Sequence, residues 1–162
     1  CRFFICKDNE RHSYCSASDI LIYPLKYAIM VKQVFINLPV KELKRSVDFF
    51  TNMGFSFNPQ FTDENAPSLV LSDTIYVMML VEEFYKSFTK KEIPDTKKSS
   101  EVIIALGVES FEEVDELAQK ALDAGGVHTY TEDHGWMKGI GFTDPDGHHW
   151  EISFTDMSKF PG

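Results

Sequence analysis

An internal duplication of about 60 residues constrains this chain more than any other feature. Residues 34–40 read as a strand leading into a helix over 41–54, and residues 102–108 read as a strand leading into a helix over 110–125. Each helix is followed by a strand, a tight turn and a second strand. The first copy is centred on Ser72-Asp73. The second is Gly141-Phe-Thr-Asp-Pro-Asp-Gly-His-His-Trp-Glu151. In its Asp144-Pro145-Asp146-Gly147 turn, Pro fixes one backbone torsion and Gly supplies a positive one. Each half therefore reads β-α-β-β-β, and the expected fold class is α+β: paired modules, each a curved sheet with its helix outside.

The helices carry their own signals. Leu43, Val47 and Phe50 lie at i, i+4 and i+7, with Gly54 as a stop. In the second helix Ser110 and Glu113 have capping-box spacing, and Phe111, Val114, Ala118 and Ala121 form the apolar stripe. Module one is read as 31–82, a linker as 83–100 and module two as 101–157, within a domain of 30–162. Residues 82–100 hold five lysines, Pro94 and the aromatics Phe84, Tyr85 and Phe88. The lysine-rich part reads as an exposed connection, the aromatic part as a short helical turn or a packed anchor.

Residues 1–29 contain all three cysteines, and their longest apolar run, residues 20–23, is too short for a signal sequence or a membrane span. They are read as an extension outside the functional domain, the alternative being an arm packed on a dimer partner. The cysteines form neither a disulfide framework nor a zinc pattern, and the duplicated region, free of cysteine, suits a reducing cytoplasm. A net charge of -9 argues against nucleic acid and anionic membrane surfaces as partners. The glycines of residues 135–141 precede a strand rather than a helix, which fails the context of a nucleotide-binding loop.

Strand parity selects the candidate site. Val34, Ile36 and Leu38 share one face and Phe35, Asn37 and Pro39 the other; Tyr76, Met78 and Leu80 oppose Val77 and Met79. Ile103 opposes Ile104, and His149 and Glu151 oppose Trp150 and Ile152. Aligning the halves pairs Phe35 with Ile103 and Met78 with Glu151. These four are expected to converge inside one sheet, as three apolar side chains and one carboxylate.

The duplication, the segment Val40-Lys-Glu-Leu-Lys-Arg-Ser-Val-Asp-Phe-Phe50 with Met53-Gly54-Phe55, and the terminal motif 142–151 resemble the vicinal oxygen chelate superfamily, which includes glyoxalase I, bleomycin resistance proteins and extradiol dioxygenases. The resemblance spans about residues 31–157 and implies a homodimer. In metal-using members the four converging strands each offer one ligand. Carried to this chain, those positions are Phe35, Met78, Ile103 and Glu151. Phe and Ile cannot coordinate a cation, a thioether is too soft for these hard or borderline ions, and one carboxylate does not hold a catalytic divalent metal.

No metal and no cofactor are therefore expected. The expected partner is a small organic molecule in an apolar cavity lined by Phe35, Asn37, Tyr76, Met78, Ile103, Trp136 and His149, with Glu151 as anchor. As a carboxylate in an apolar pocket, Glu151 also suits general acid or base work, and a structural role as a former ligand is the competing reading. The alternative function is a lyase, isomerase or dioxygenase-like enzyme that uses Glu151 without metal or recruits a divalent ion through His134 and His149. A structural or regulatory relic is the third reading.

Overall fold

The computed structural model describes residues 31–161. The expectation for residues 1–29 lies outside them. Lys32–Gly162 form one compact unit. Module one consists of β1 (Val34–Val40), α1 (Leu43–Asn52), β2 (Ser56–Phe57), β3 (Ser68–Val70) and β4 (Ile75–Val81). A short helix, α2 (Glu82–Tyr85), opens the connection. Module two consists of β5 (Ile103–Gly107), α3 (Phe111–Asp123), β6 (Val127–Asp133), β7 (Met137–Thr143) and β8 (His149–Thr155). The sheets have matching strand orders, β1-β4-β3-β2 and β5-β8-β7-β6. In each, the two outer-chain strands pair parallel and the rest antiparallel, β1 with β4 and β5 with β8. The architecture is the expected α+β duplication.

One core serves both modules. Leu38, Val77 and Met79 of the first sheet, Phe142, Trp150 and Ile152 of the second, and Phe49, Phe50, Val114, Ala118 and Ala121 of the helices form a single buried cluster. Helix α1 reaches beyond its own sheet: Phe50 packs on Trp150 with ring centroids 4.9 Å apart, and Phe49 on Phe142 at 6.3 Å. This explains a departure from the expected stripe. A helix covering one sheet buries a single face, whereas α1 buries Ser46, Phe49 and Phe50, leaving Val47 half-buried. In α3, Val114, Ala118 and Ala121 are buried as the periodicity implied, and Phe111 packs edge-on against Phe154. The Ser110 hydroxyl accepts from the Glu113 amide at 3.1 Å; the Glu113 carboxylate takes the amide of Glu109 rather than that of Ser110.

The Asp144–Gly147 turn joins the modules. Gly147 has φ +90° and its amide bonds the Asp144 carbonyl at 2.9 Å, so the turn forms as its residues dictate. Both carboxylates point inward. Asp144 Oδ1 accepts from the amides of Asp146 and His148, and Oδ2 from the Trp150 indole. Burial pushes the Asp144 carboxyl above its usual range, against the opposing pull of His148 and those donors. Asp146 crosses to module one: Oδ1 accepts from the Lys41 amide at 3.0 Å and the Arg45 guanidinium at 2.8 Å, and Oδ2 from the Ser46 hydroxyl at 2.8 Å. That last bond accounts for a serine on the buried face of α1. From the connection, Thr96 donates to the Asp146 carbonyl at 2.6 Å.

Candidate functional site

The register places the candidate residues on the sheet faces turned away from the core cluster. In module one Phe35 lies opposite Tyr76 and Asn37 opposite Met78. In module two Ile103 lies opposite His149 and Ala105 opposite Glu151. Partners in register share a face, so Tyr76 corresponds to His149, and Met78 to Glu151, as the sequence alignment of the halves implied.

The two faces are dressed differently. Over the first sheet, Phe61 from the loop between β2 and β3 packs edge-on against Phe35 and Tyr76, whose rings stack at 5.2 Å. The Tyr76 hydroxyl donates to the Asp73 carbonyl, so it is committed to its own turn. The second face is more open: Ile103, Ala105 and Gly107 are exposed, and Phe35 of the first face is itself 42 % exposed. Asn37 and His149 meet at the wall of a cavity of about 110 Å³ beside the start of β8. Trp136 sits elsewhere, at the β6–β7 hairpin tip, stacked on His134 and edge-on to Phe160. The stretch around it forms the end of β6 and the hairpin tip.

Glu151 has a partner that strand parity did not supply. The Tyr130 hydroxyl donates to Glu151 Oε2. Oε1 has no hydrogen-bond partner among the described residues. Two glycines make the arrangement possible. Gly141 lies between Tyr130 and Glu151 in the register, and Gly139 is the next residue of β7 on that face. A Cβ on Gly141 would lie 2.3 Å from Tyr130 Cε1, and one on Gly139 would lie 3.5 Å from Glu151 Cδ. The phenol ring therefore rests in the space a side chain at 141 would fill, and the carboxylate rests beside Gly139. A β-bulge between His128 and Tyr130 shifts the parity of β6, bringing Tyr130 to this face. The legible signal was the Gly-x-Gly of β7, since glycine within a strand marks a close approach.

Burial first, and the Glu151 bond and charge second, push the Tyr130 phenol from 10.0 up to about 12. A raised phenol favours the protonated form, so its contribution to stability is complete below pH 10.0 and is lost as pH rises through about 12. Glu151→Gln removes the charge while keeping an acceptor, and Gly141→Ala displaces the ring. Each is expected to move one tyrosine's titration back toward 10.0, read as tyrosinate absorbance against pH; an unchanged curve in both variants would contradict the pairing.

The donor set does not suit the divalent ion used in metal-dependent members of the resembled superfamily. Phe35, Met78 and Ile103 supply no hard donor, and one oxygen of Glu151 already accepts from a phenol. Among the described residues no group of three or more His, Cys, Asp or Glu side chains is placed to hold a metal ion, and no helix is long and apolar enough to cross a membrane.

A hypothetical protein from S. aureus is 28% identical with a TM-score of 0.65, over 77% of this chain and 95% of that one. A glyoxalase-related enzyme from Fulvimarina pelagi is 21% identical at TM-score 0.65, over 77% and 89%. The fosfomycin resistance protein FosX from Listeria monocytogenes is 19% identical at TM-score 0.59, over 80% and 98%. The last two likenesses concern the fold alone. No curated protein matches this sequence. The family model for the Glyoxalase/Bleomycin resistance protein/Dioxygenase superfamily matches residues 32–152, which takes in both modules and the Tyr130–Glu151 pair, and the chain belongs to that superfamily.

Proposed function

We propose that this protein binds a small organic molecule on the open face of module two, with Glu151 as its polar anchor and no divalent metal. The observation that carries this reading is the half-made carboxylate: Oε2 is held by Tyr130 while Oε1 has no hydrogen-bond partner among the described residues. At neutral pH the Tyr130 proton is directed at Glu151, so the pair presents acceptor lone pairs and no free donor. The complementary ligand group is a hydroxyl or an amine. Ala105 and Gly141, on either side of Glu151 in the register, keep access clear, and Ile103, opposite His149, offers apolar contact. Exposed Phe35 and Ile103 also support a homodimer in which a second copy completes the apolar wall. A reducing cytoplasm suits the cysteine-free modules.

Thermal shift against hydroxylated and amine-bearing small molecules tests this. A stabilising ligand is expected, with affinity falling about 10–100-fold in Glu151→Ala, the worth of one hydrogen bond to a charged group. Equal stabilisation of both proteins, or none by any ligand class, would overturn the assignment.

The second reading is a metal-free lyase or isomerase, favoured by the same pair, since a carboxylate bonded to a phenol can accept and return a proton. A coupled methylglyoxal–glutathione assay is expected to show no turnover. Turnover that disappears in Glu151→Gln would replace binding with catalysis.

A further inference from the structure

We infer that the cleft above the Asp144–Gly147 turn is a binding site for a phosphate group, separate from the Tyr130–Glu151 pair. The cleft has a volume of about 660 Å³, and Lys41, Arg45 and Lys97 line it together. Three cations around one opening run against the chain's balance, with 16 Lys and Arg against 25 Asp and Glu. Asp146 pairs with Arg45, which leaves the two ammoniums to be matched by an anion from solution.

The acids nearby supply that counter-charge only in part. Asp144 and Asp146 also line the cleft, but each is only 7 % exposed, and every one of their oxygens already accepts from a donor. Asp95 stands close enough to feel the Lys41 and Lys97 charges, yet its side chain is paired with Lys98 at 3.1 Å and with the Lys97 amide. The ammonium groups of Lys41 and Lys97 have no carboxylate within salt-bridge distance among the described residues. Arg45 uses one guanidinium nitrogen on Asp146, and its side chain is still 43 % exposed.

A tetrahedral dianion matches this set. It accepts from two point-charge ammoniums and from the free edge of a planar guanidinium at once. The shared chemistry is phosphate, free or as a monoester, and the opening is wide enough for the organic part of an ester.

Calorimetric titration with inorganic phosphate and with phenyl phosphate, at constant ionic strength set with chloride, tests the site. Saturable binding at one per chain is expected, weakened about tenfold or more in Lys41→Ala/Lys97→Ala. Neither change touches the Arg45–Asp146 bridge, since Lys41 serves the turn through its backbone amide. Lys41→Arg/Lys97→Arg is expected to keep binding, and Lys86→Ala/Lys90→Ala, which removes equal charge elsewhere, is expected to leave it intact. Tighter binding of phenyl phosphate would assign the site to an ester, and equal binding to the free ion. Binding that is absent at constant ionic strength, or that falls equally in both double alanine variants, overturns the proposal.

Discussion

Asp146→Ala is expected to lower the unfolding free energy by about 2–4 kcal/mol, because a buried carboxylate that accepts from three donors is lost. The side chain is 3 % exposed and accepts from three groups of module one: the Lys41 amide, the Arg45 guanidinium and the Ser46 hydroxyl. Its loss leaves Ser46, itself 2 % exposed, without that bond on the inner face of α1. Thermal unfolding should shift down by roughly 10 °C or more for a unit of this size. Asp146→Asn keeps an acceptor at Oδ1 and gives up the charge, so its loss should fall between the two. A change below about 1 kcal/mol for the alanine variant would mean that the contact between turn and helix is incidental.

Phe50→Ala is expected to lower the same free energy by about 3–5 kcal/mol through the cavity it leaves. Phe50 is 1 % exposed and touches both modules, packing on Phe49 at 4.9 Å and on Trp150 at 4.9 Å. The two substitutions act on one junction, so their effects should not add: once Asp146 has released α1, less remains for the ring to lose. A double-mutant cycle in denaturant checks this. Full additivity would show that the ring and the carboxylate hold separate junctions.

Much of the fold was legible before any coordinates. Two copies of one strand–helix–strand–strand–strand pattern fix the topology, because each element is short, amphipathic and closed by a strong turn or cap. The helix-face assignments held where one sheet faces one helix, as at Val114, Ala118 and Ala121. They loosened at α1, where a second module covers an arc that a single-sheet stripe leaves to solvent. The acids of the Asp144-Pro145-Asp146-Gly147 motif read as turn chemistry, yet their side chains staple the modules, a long-range role that spacing along the chain does not encode.

The site was legible in part for the same reason. Parity placed Glu151 and His149 on one face and Trp150 on the other, and the register agrees. Tyr130 stayed hidden behind a bulge, since one extra residue inverts every later side chain in a strand. The glycines of β7 were visible, but what rests on them was not. Trp136, expected at the rim of the pocket, instead packs with His134 and Phe160 at a hairpin tip.

The Glu151 carboxylate is held by a phenol rather than by a cation. The most direct test of this is the metal content of purified protein after equilibration with manganese, nickel, zinc and iron(II) in turn, measured beside Glu151→Ala. Far less than one ion per chain is expected in both proteins, with no difference between them. One tightly held ion per chain in the parent, lost in the variant, would contradict it.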